Sequence, residues 1–353
     1  MSGGVETWEL DPTEYPQWEA LVAESPDGSI YSQAGYLDVL CRAAGGRYRV
    51  IGARRGEELV GGVALYERSS RFGAYVSPRL LLYFNGLVLR RWDSRYPSIQ
   101  TGRDVACLSA LAEHIAGLGY GSVNLRSLPS LADVRSFLVH GWAARPSYTY
   151  VVSLADLEAQ WSRVEQNLRR LVKRCGERDG LEVTDDTDFD AFYRLHSVTL
   201  GRRGISTYLP EAAFHRYFNA LHAGGMARLY HARLPAGRAI ASQLVLLASN
   251  GSSYTVSTAG DPGFLTLGAH AFLRWRAFER LAAAGCTSND LTGASLNDVT
   301  HFKSQLGGCL AMSLVLQSRQ RRAYAWGMRG TRSYRRTRSA LAGVARRIAG
   351  RDD

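Results

Sequence analysis

The chain has 353 residues, 46% of them hydrophobic, and is long enough for two ordinary domains with their own cores. Its five cysteines are widely spaced and include no CxxC pair, which argues against a disulfide framework or a zinc ribbon and favours the reducing cytoplasm. The N-terminus is polar, and no apolar run approaches the roughly 18 residues that cross a bilayer. We therefore expect a protein that is neither exported nor transmembrane.

The formal net charge of +11 is concentrated at the C-terminus. Residues 317–353 contain eleven Arg and two Asp, a net charge of +9. Such a segment suits the phosphates of RNA or an anionic membrane surface, and Arg335 and Arg336 are candidate phosphate contacts within it. The alternative is a solvated basic tail without a ligand.

Hydrophobic periodicity predicts secondary structure that repeats along the chain. The first half predicts helices near 12–24 and 34–44, strands at 47–54 and 58–67, a helix at 103–118 and a strand at 121–126. The second half predicts helices near 187–200 and 210–223, strands at 226–233, 238–248 and 251–258, a helix at 266–284 and a strand at 288–292. The common order predicts two copies of one α/β unit.

The two copies match most closely where a long helix gives way to a strand. Gly119 and Gly285 each stand where a helix end favours a left-handed residue, and Asn124 and Asp290 follow them by five positions. Between the copies, residues 155–179 predict a helical linker with a basic face. Its candidate contacts to tRNA or another phosphorylated ligand are Arg170, Lys173 and Arg174.

A glycine-bearing loop at 260–271 opens the long helix of the second half. Backbone N–H groups at such a helix start can bind an anion, although a plain loop explains the segment equally well. The eight histidines form no HExxH motif and have no helical partner backed by a carboxylate, so the sequence predicts no metal site.

Asp290 ends a predicted strand, and a short helix containing Lys303 follows a dozen residues later. This spacing lets a carboxylate and a cation face one pocket. Lys303 could stabilise the oxyanion of a tetrahedral intermediate, because a desolvated cation acts strongly where negative charge develops. The alternative for Lys303 is an ordinary surface lysine on a helix.

The segment with Phe302-Lys303 and Gly307-Gly308, after a strand with Asp290 and Gly293, resembles the Fem-like peptidyltransferases and their GNAT relatives. Other segments agree in order and spacing over about residues 5–315, namely Tyr31–Leu37, Gly56–Gly62, Asn167–Arg174 and Thr199–Gly204.

The resemblance implies an α/β fold of two tandem GNAT-like subdomains with mixed sheets, followed by a basic C-terminal helical tail. Residues 1–150 would form the first subdomain, completed by about 309–330. Residues 151–308 would form the second, and residues 331–353 the tail. Substrate would bind in the cleft between the subdomains.

The resemblance also implies site residues. Phe302 and Lys303 would lie beside the reacting acyl ester, with Asp290 organising or deprotonating the amine. Arg202 or Arg203 would contact the acceptor's phosphates, and Tyr36, Tyr254 and Gly268 would complete the substrate site. The coenzyme A loop of ordinary GNAT enzymes aligns with Leu265, Gly268 and His270, where two of three positions differ, so an aminoacyl-tRNA donor is favoured over an acyl-CoA.

The sequence therefore predicts a monomeric amide-forming acyltransferase without a bound cofactor. It would transfer an amino acid from tRNA to an amine of a peptide, a cell-wall precursor or a natural product. The alternative enzyme is an acyl-CoA-dependent N-acyltransferase acting on a sugar or metabolite amine. A third possibility, from another class, is a non-catalytic protein that binds RNA or the inner face of the membrane through its basic tail.

Overall fold

The computed structural model describes residues 4–79 and 81–328. The tail residues 331–353, including Arg335 and Arg336, lie outside this part of the chain. The first half contains two helices, a run of strands, a long helix and a further strand. They are β1 (Glu6–Glu9), α1 (Tyr15–Glu24), α2 (Ala34–Ala44), β2 (Arg47–Arg55), β3 (Glu58–Ser70), β4 (Gly73–Val76), β5 (Leu87–Leu89), α3 (Pro97–Gly117), β6 (Ser122–Arg126) and α4 (Arg135–Val139).

The second half repeats this order after a linking strand and two helices. Its elements are β7 (Ala143–Ser153), α5 (Leu157–Arg163), α6 (Gln166–Glu177), β8 (Glu182–Asp185), α7 (Phe189–Gly201), α8 (Glu211–Ala223), β9 (Ala227–Arg233), β10 (Ala239–Leu247), β11 (Ser252–Gly260), α9 (Ala269–Ala283), β12 (Ser288–Asp290), α10 (Asp298–Gln305) and β13 (Cys309–Gln317). Residues 322–328 are again helical.

One mixed sheet runs through both halves. Its strand order is β1-β2-β3-β4-β6-β13-β7-β12-β11-β10-β9-β8, with β5 attached to β3. The pairs β4–β6 and β11–β12 are parallel, and each is joined by a long helix, as parallel strands require. The last strand, β13, lies between β6 and β7 and thus connects the halves at the centre of the sheet.

A hydrophobic core shared by both halves packs them against each other. The α2 and α8 helices meet there, and the Tyr36 and Tyr217 hydroxyls lie 3.0 Å apart. The ring centroids of Tyr31 and Tyr254, one from each half, are 5.1 Å apart in an edge-on arrangement. Burying such aromatic pairs stabilises the contact by apolar area and by ring geometry.

The predicted fold class and internal repeat are confirmed. Most of the long elements begin and end within a few residues of their predicted bounds, but α3 begins at Pro97 instead of residue 103. Gly119 and Gly285 end α3 and α9 with φ of 77° and 88°, as predicted for left-handed helix ends. The predicted boundary at residue 150 falls inside β7, which pairs with β13 on one side and β12 on the other. Within the described ranges, no helix has the length and apolar character needed to cross a membrane.

Candidate active site

The pairing of the parallel strands β11 and β12 is short. They pair only over Ser252–Tyr254, after which β11 continues to Gly260 while β12 ends at Asp290. The chain leaving β12 forms the turn 291–297. This turn stays on β7, because Leu291 N donates to the Tyr150 carbonyl at 2.9 Å and Ala294 N donates to the Tyr148 carbonyl at 2.7 Å.

Thr292, in this turn, has an unfavourable backbone conformation. Its φ is 50°, which is rare for a β-branched residue and costs on the order of 1–3 kcal/mol. Hydrogen bonds hold it in place, because its N–H donates to Asp290 Oδ1 at 2.7 Å and its hydroxyl donates to the Thr255 carbonyl at 2.7 Å. Backbone strain held by such contacts is typical of functional sites.

The α10 helix brings Lys303 to this turn. Asn297 caps the helix by accepting a hydrogen bond from Thr300 N at 3.0 Å, and Gly307, with φ of 78°, follows its end. Lys303 Nζ donates to the carbonyls of Thr292 at 2.6 Å and Gly293 at 2.7 Å. An ammonium has three N–H donors, so these contacts leave one for a ligand.

Asp290 and Lys303 thus contact the two ends of the same residue, Thr292. Both side chains are buried, with 5% and 7% of their residue surface exposed. Burial raises the pKa of Asp290 to about 6, against hydrogen bonds from Thr149 and the Thr292 N–H that lower it. Burial, and then the nearby Arg274 guanidinium, lower the pKa of Lys303 to about 8.

A cavity of about 340 Å³ opens in front of this pair. Its wall includes most residues of the 292–297 turn. The side chains that contribute to it include Arg126, Ser147, Tyr148, Arg203, Thr300 and Lys303. Asp290 lies one layer behind the wall, where Thr149 Oγ1 donates to its Oδ1.

Among the predicted catalytic residues, the structure brings Lys303 and Asp290 together but places Phe302 elsewhere. Phe302 packs against the hydrophobic core of the second half and does not line the cavity. Of the two arginines predicted to contact acceptor phosphates, Arg203 lines the cavity, whereas Arg202 caps the end of α7.

The aromatic residues predicted to bind substrate lie in the core between the halves. Tyr36 is fully buried and donates its hydroxyl hydrogen bond to the Leu81 carbonyl. Tyr254 is buried against Tyr31 and Phe84. In this arrangement neither side chain reaches the cavity wall, so direct substrate contact would require the halves to move.

The glycine loop before α9 is covered by the α6 helix. Leu171 lies within about 3 Å of the position that a side chain on Gly268 would occupy, and Arg174 donates to the Leu267 carbonyl at 2.7 Å. Arg174 therefore stabilises this loop through that hydrogen bond. Arg170 and Lys173 are exposed on the same helix, and Lys173 lies in a cleft with Glu158, Glu177 and Glu279.

Sequence reasoning missed Arg126, Arg274 and Thr149. Long-range strand pairing and helix packing place them at the site, so a local pattern could not identify them. One compositional signal did exist for Lys303, because the chain contains only two lysines, Lys173 and Lys303. Lysine differs from arginine in presenting a compact ammonium instead of a planar guanidinium.

No group of three or more His, Cys, Asp and Glu side chains in the described ranges is arranged to hold a metal ion.

Comparison with known proteins identifies a related domain in the second half. The family model of the acetyltransferase (GNAT) domain matches residues 162–304, a range that includes both Asp290 and Lys303. No curated protein sequence matches the chain significantly.

Several solved structures share the fold at low sequence identity. FemX is 15% identical over 88% of this chain and 96% of its own, with a TM-score of 0.67. A tandem GNAT protein from the clavulanic acid biosynthesis pathway is 14% identical over 89% and 98%, with a TM-score of 0.54. The C-terminal domain of a putative lysylphosphatidylglycerol synthetase from Agrobacterium fabrum is 13% identical over 90% and 96%, with a TM-score of 0.57.

The matched domain and the fold together define the class of the protein, which is an acyltransferase. Its second half contains a GNAT acetyltransferase domain, and the described chain has the Fem-like tandem GNAT fold.

Proposed function

We propose that this protein forms an amide bond by transferring an aminoacyl group from tRNA to an amine. The observation that carries the proposal is the buried Lys303, which is held on the strained Thr292–Gly293 turn and faces the cavity with Asp290 behind it. An amine and an acyl ester that meet in this cavity would react beside a fixed cation, and such positioning contributes strongly to catalysis.

Lys303 stabilises the oxyanion. With a pKa of about 8 it is mostly protonated at neutral pH, and its remaining N–H can donate to the carbonyl oxygen of the ester as negative charge develops. The Arg274 guanidinium, buried on α9 and bonded to Thr258 Oγ1 at 2.7 Å, adds positive potential behind it. Loss of one such donor costs roughly 100-fold or more in rate.

Asp290 receives the proton of the attacking amine. The Thr149 hydroxyl already donates to Asp290, so it can accept a proton from the amine and pass its own to the carboxylate. In the balanced step, the C–N bond forms and the ester C–O bond to the ribose breaks. The amine loses one proton to Asp290, and Asp290 passes that proton back to the leaving ribose oxygen, which restores the carboxylate.

The loop that precedes α9 favours a tRNA donor over coenzyme A. The resemblance described above aligns the coenzyme A loop of ordinary GNAT enzymes with the segment that opens this helix. Here Leu171 and Arg174 of α6 pack on that loop. Two structures of similar fold, FemX and the lysylphosphatidylglycerol synthetase domain, agree with aminoacyl transfer, the second through the lysyl group in its name.

A second candidate is transfer from an acyl-CoA. It is supported by the matched family model, whose description is an acetyltransferase. The two candidates share the amine, the oxyanion and the residues around them, and they differ only in the donor.

The donor can be identified with the full-length protein. Total tRNA charged with radiolabelled amino acids is incubated with enzyme and a small-molecule cell extract, and the label in alkali-resistant product is measured. Alkali hydrolyses the ester of unreacted tRNA but leaves an amide intact. Parallel reactions contain radiolabelled acetyl-CoA or palmitoyl-CoA in place of tRNA.

We expect saturable, enzyme-dependent product from the charged tRNA. Product from an acyl-CoA alone would reject the tRNA donor in favour of the second candidate. If no donor yields product while a thermal shift assay shows the protein to be folded, the proposed amide-forming activity is wrong.

A further inference from the structure

A second, larger cavity lies in the first half, beside the parallel pair β4–β6. Its volume is about 650 Å³, and Arg126, Arg145 and Val315 contribute to its wall. Val315 of β13 pairs with Arg126 of β6 on one side and with Arg145 of β7 on the other. Opposite residues of antiparallel strands project from the same face, so two guanidinium side chains flank Val315 on the face that borders the cavity.

Within the described residues, neither arginine forms a direct ion pair, although the charge of Asp290 acts on Arg126 from a longer distance. Burial, and then the charge of Arg145, lower the pKa of Arg126, and its Nε is buried without a hydrogen-bond partner in the described chain. Among the described residues, no ion pair within 4.0 Å includes either arginine. Like charges that share a partly desolvated wall favour binding of an anion.

The rest of this wall also suits an anion. The next row of the same face places the Asn124 and Gln317 amides opposite each other, and Gln320 and Ser122 add further polar groups. Asn124 occupies the position in the first half that Asp290 occupies in the second. The first half therefore has a neutral amide where the second has its carboxylate, and both lysines of the chain belong to the second half. These features fit binding better than catalysis.

A row of polar side chains on β7 joins this cavity to the candidate active site. We call this row, Arg145, Ser147 and Thr149, the polar track. Arg126 contributes to the walls of both cavities. Alternate residues of β7 project to one face, which orders Arg145, Ser147 and Thr149 along the track. Ser147 lines the second cavity, and Thr149 donates to Asp290. Four residues of strand span about 13 Å, which is the separation of Arg145 and Thr149 along β7.

We propose that the first-half cavity binds the anionic end of the amine acceptor on Arg126 and Arg145. The acceptor is then a molecule with a phosphate or carboxylate group about 13 Å from its reactive amine. This inference rests on the proposed amide-forming function, because it assigns the amine end to the track beside Asp290.

Calorimetric titration of the full-length protein tests the site. Inorganic pyrophosphate and citrate are the probes, and they separate a diphosphate from a carboxylate ligand by their relative affinity. The variants are Arg126→Gln and Arg145→Gln. Arg54→Gln is the matched control, since Arg54 pairs with Glu6 near the far edge of the sheet. Charge-assisted hydrogen bonds to an anion are worth about 1.5–3 kcal/mol, or roughly tenfold or more in affinity.

We expect at least one probe to bind the wild type and the Arg54→Gln protein equally, and each cavity variant to bind it roughly tenfold or more weakly. Binding to the arginine-rich C-terminal segment would persist in all variants, so a loss confined to the two cavity variants identifies the cavity. Removal of the partly buried Arg126 charge should leave the melting temperature unchanged or raise it, which separates lost binding from unfolding.

The proposal is wrong if the wild type binds neither probe, or if both folded cavity variants bind as tightly as the wild type. These outcomes are distinct from failure of the proposed function. An enzyme that makes amides without binding either anion overturns only this inference. A protein that binds anions at Arg126 but uses no acyl donor keeps the anion site, but it contradicts the amide-forming activity and with it the identity of the ligand as an amine acceptor.

Discussion

The chemistry of the candidate site depends first on the protonation of two side chains. Lys303 must carry a proton to stabilise an oxyanion, and Asp290 must be ionised to accept one. Burial disfavours the charged form of both side chains, so it raises the pKa of Asp290 and lowers the pKa of Lys303. The pKa values of about 6 and about 8 leave a window near neutral pH in which both are charged.

The lowered pKa of Lys303 can be measured directly. The chain has only two lysines, so protein labelled with lysine carrying ¹⁵N at the side-chain nitrogen should give two ammonium signals, and Lys173→Arg leaves the one from Lys303. We expect this signal to titrate at about pH 8. A midpoint at the ordinary lysine value, near 10.4, would contradict the desolvated environment described here.

The same two groups predict a bell-shaped dependence of the transfer rate on pH. The rate should rise as Asp290 ionises near pH 6 and fall as Lys303 loses its proton near pH 8. In Asp290→Asn the remaining activity should lose its acid limb. In Lys303→Arg the alkaline limb should disappear, because a guanidinium stays protonated over this range.

Stability provides the control for the Asp290 variant. The pKa of Asp290 is raised in the folded protein, from an ordinary 3.8 to about 6, so ionisation disfavours the folded state as pH rises through this window. Asp290→Asn should therefore melt at a higher temperature than the wild type at pH 7, and the difference should shrink below pH 4. A variant that melts lower at both pH values would show that Asp290 acts mainly as a structural hydrogen-bond acceptor.

Among the elements, the short helix α10 controls where Lys303 lies. Its C-terminal end docks on the linker, because Gln160 donates to the Leu306 carbonyl at 3.0 Å and Glu165 N donates to the Gln305 carbonyl at 2.9 Å. Gly307 makes this docking possible. A side chain there would lie 2.7 Å from Gln160 Nε2 and 2.9 Å from the Arg163 backbone.

Two glycine variants separate strain from docking. Gly285 and Gly307 both have positive φ, but nothing lies within 4 Å of a side chain at Gly285. Gly285→Ala should cost about 1–2 kcal/mol of unfolding free energy, from the left-handed conformation alone, with the transfer rate retained. Gly307→Ala should lose more stability and also slow transfer, because α10 is displaced. Denaturant unfolding and the transfer assay measure both, and equal effects of the two variants would reject this role for docking.

The sequence predicts most of the long elements because each carries its own signal, but it does not predict the 11-residue strand β7. Amphipathic helices such as α2 and α8 show a 3.6-residue period, and left-handed glycines end α3 and α9. Short strands such as β4 and β8 are too brief for such a signal. Asp290 and Lys303 could be predicted as neighbours because they are close to each other in the sequence. Arg126 and Thr149 reach the site through strand pairing with distant segments, and that pairing cannot be read from neighbouring residues.

Residues predicted from family resemblance had mixed outcomes for a related reason. Arg203 lies on the cavity wall, whereas Tyr36 and Phe302 lie in hydrophobic cores. An aromatic residue near a motif can serve either packing or binding. Which of the two applies depends on how the halves pack, and that packing is a property of the tertiary structure.

At the level of the whole molecule, the two halves are parts of one continuous sheet, joined by β13. The chain after β13 covers the first-half cavity, where Tyr324 packs on Gly121 and Met328 lines the wall. Met328, the last described residue, thus lies at this cavity.

The role of the arginine-rich C-terminal segment is testable by truncation. A chain ending after Met328 keeps every described strand and the cavity wall, unlike one ending after Leu316, which lacks Gln317 and Tyr324. If the segment binds donor tRNA, truncation after Met328 should weaken tRNA binding and flatten its salt dependence, since fewer counterions are released. If it instead contacts anionic membranes, truncation should abolish binding to phosphatidylglycerol vesicles and leave tRNA affinity unchanged. A truncated protein that binds both as the full chain does would leave the segment without either role.

The most direct test of the account is the single-turnover rate of amide formation from charged tRNA in Lys303→Ala. The wild type, Lys303→Arg and the distant control Arg54→Gln are measured in parallel, with circular dichroism to confirm folding. The account predicts a fall of about 100-fold or more for Lys303→Ala, as expected for loss of one oxyanion donor, with Arg54→Gln unchanged. A folded Lys303→Ala protein that forms amide at the wild-type rate would contradict the assignment of this site as the active centre.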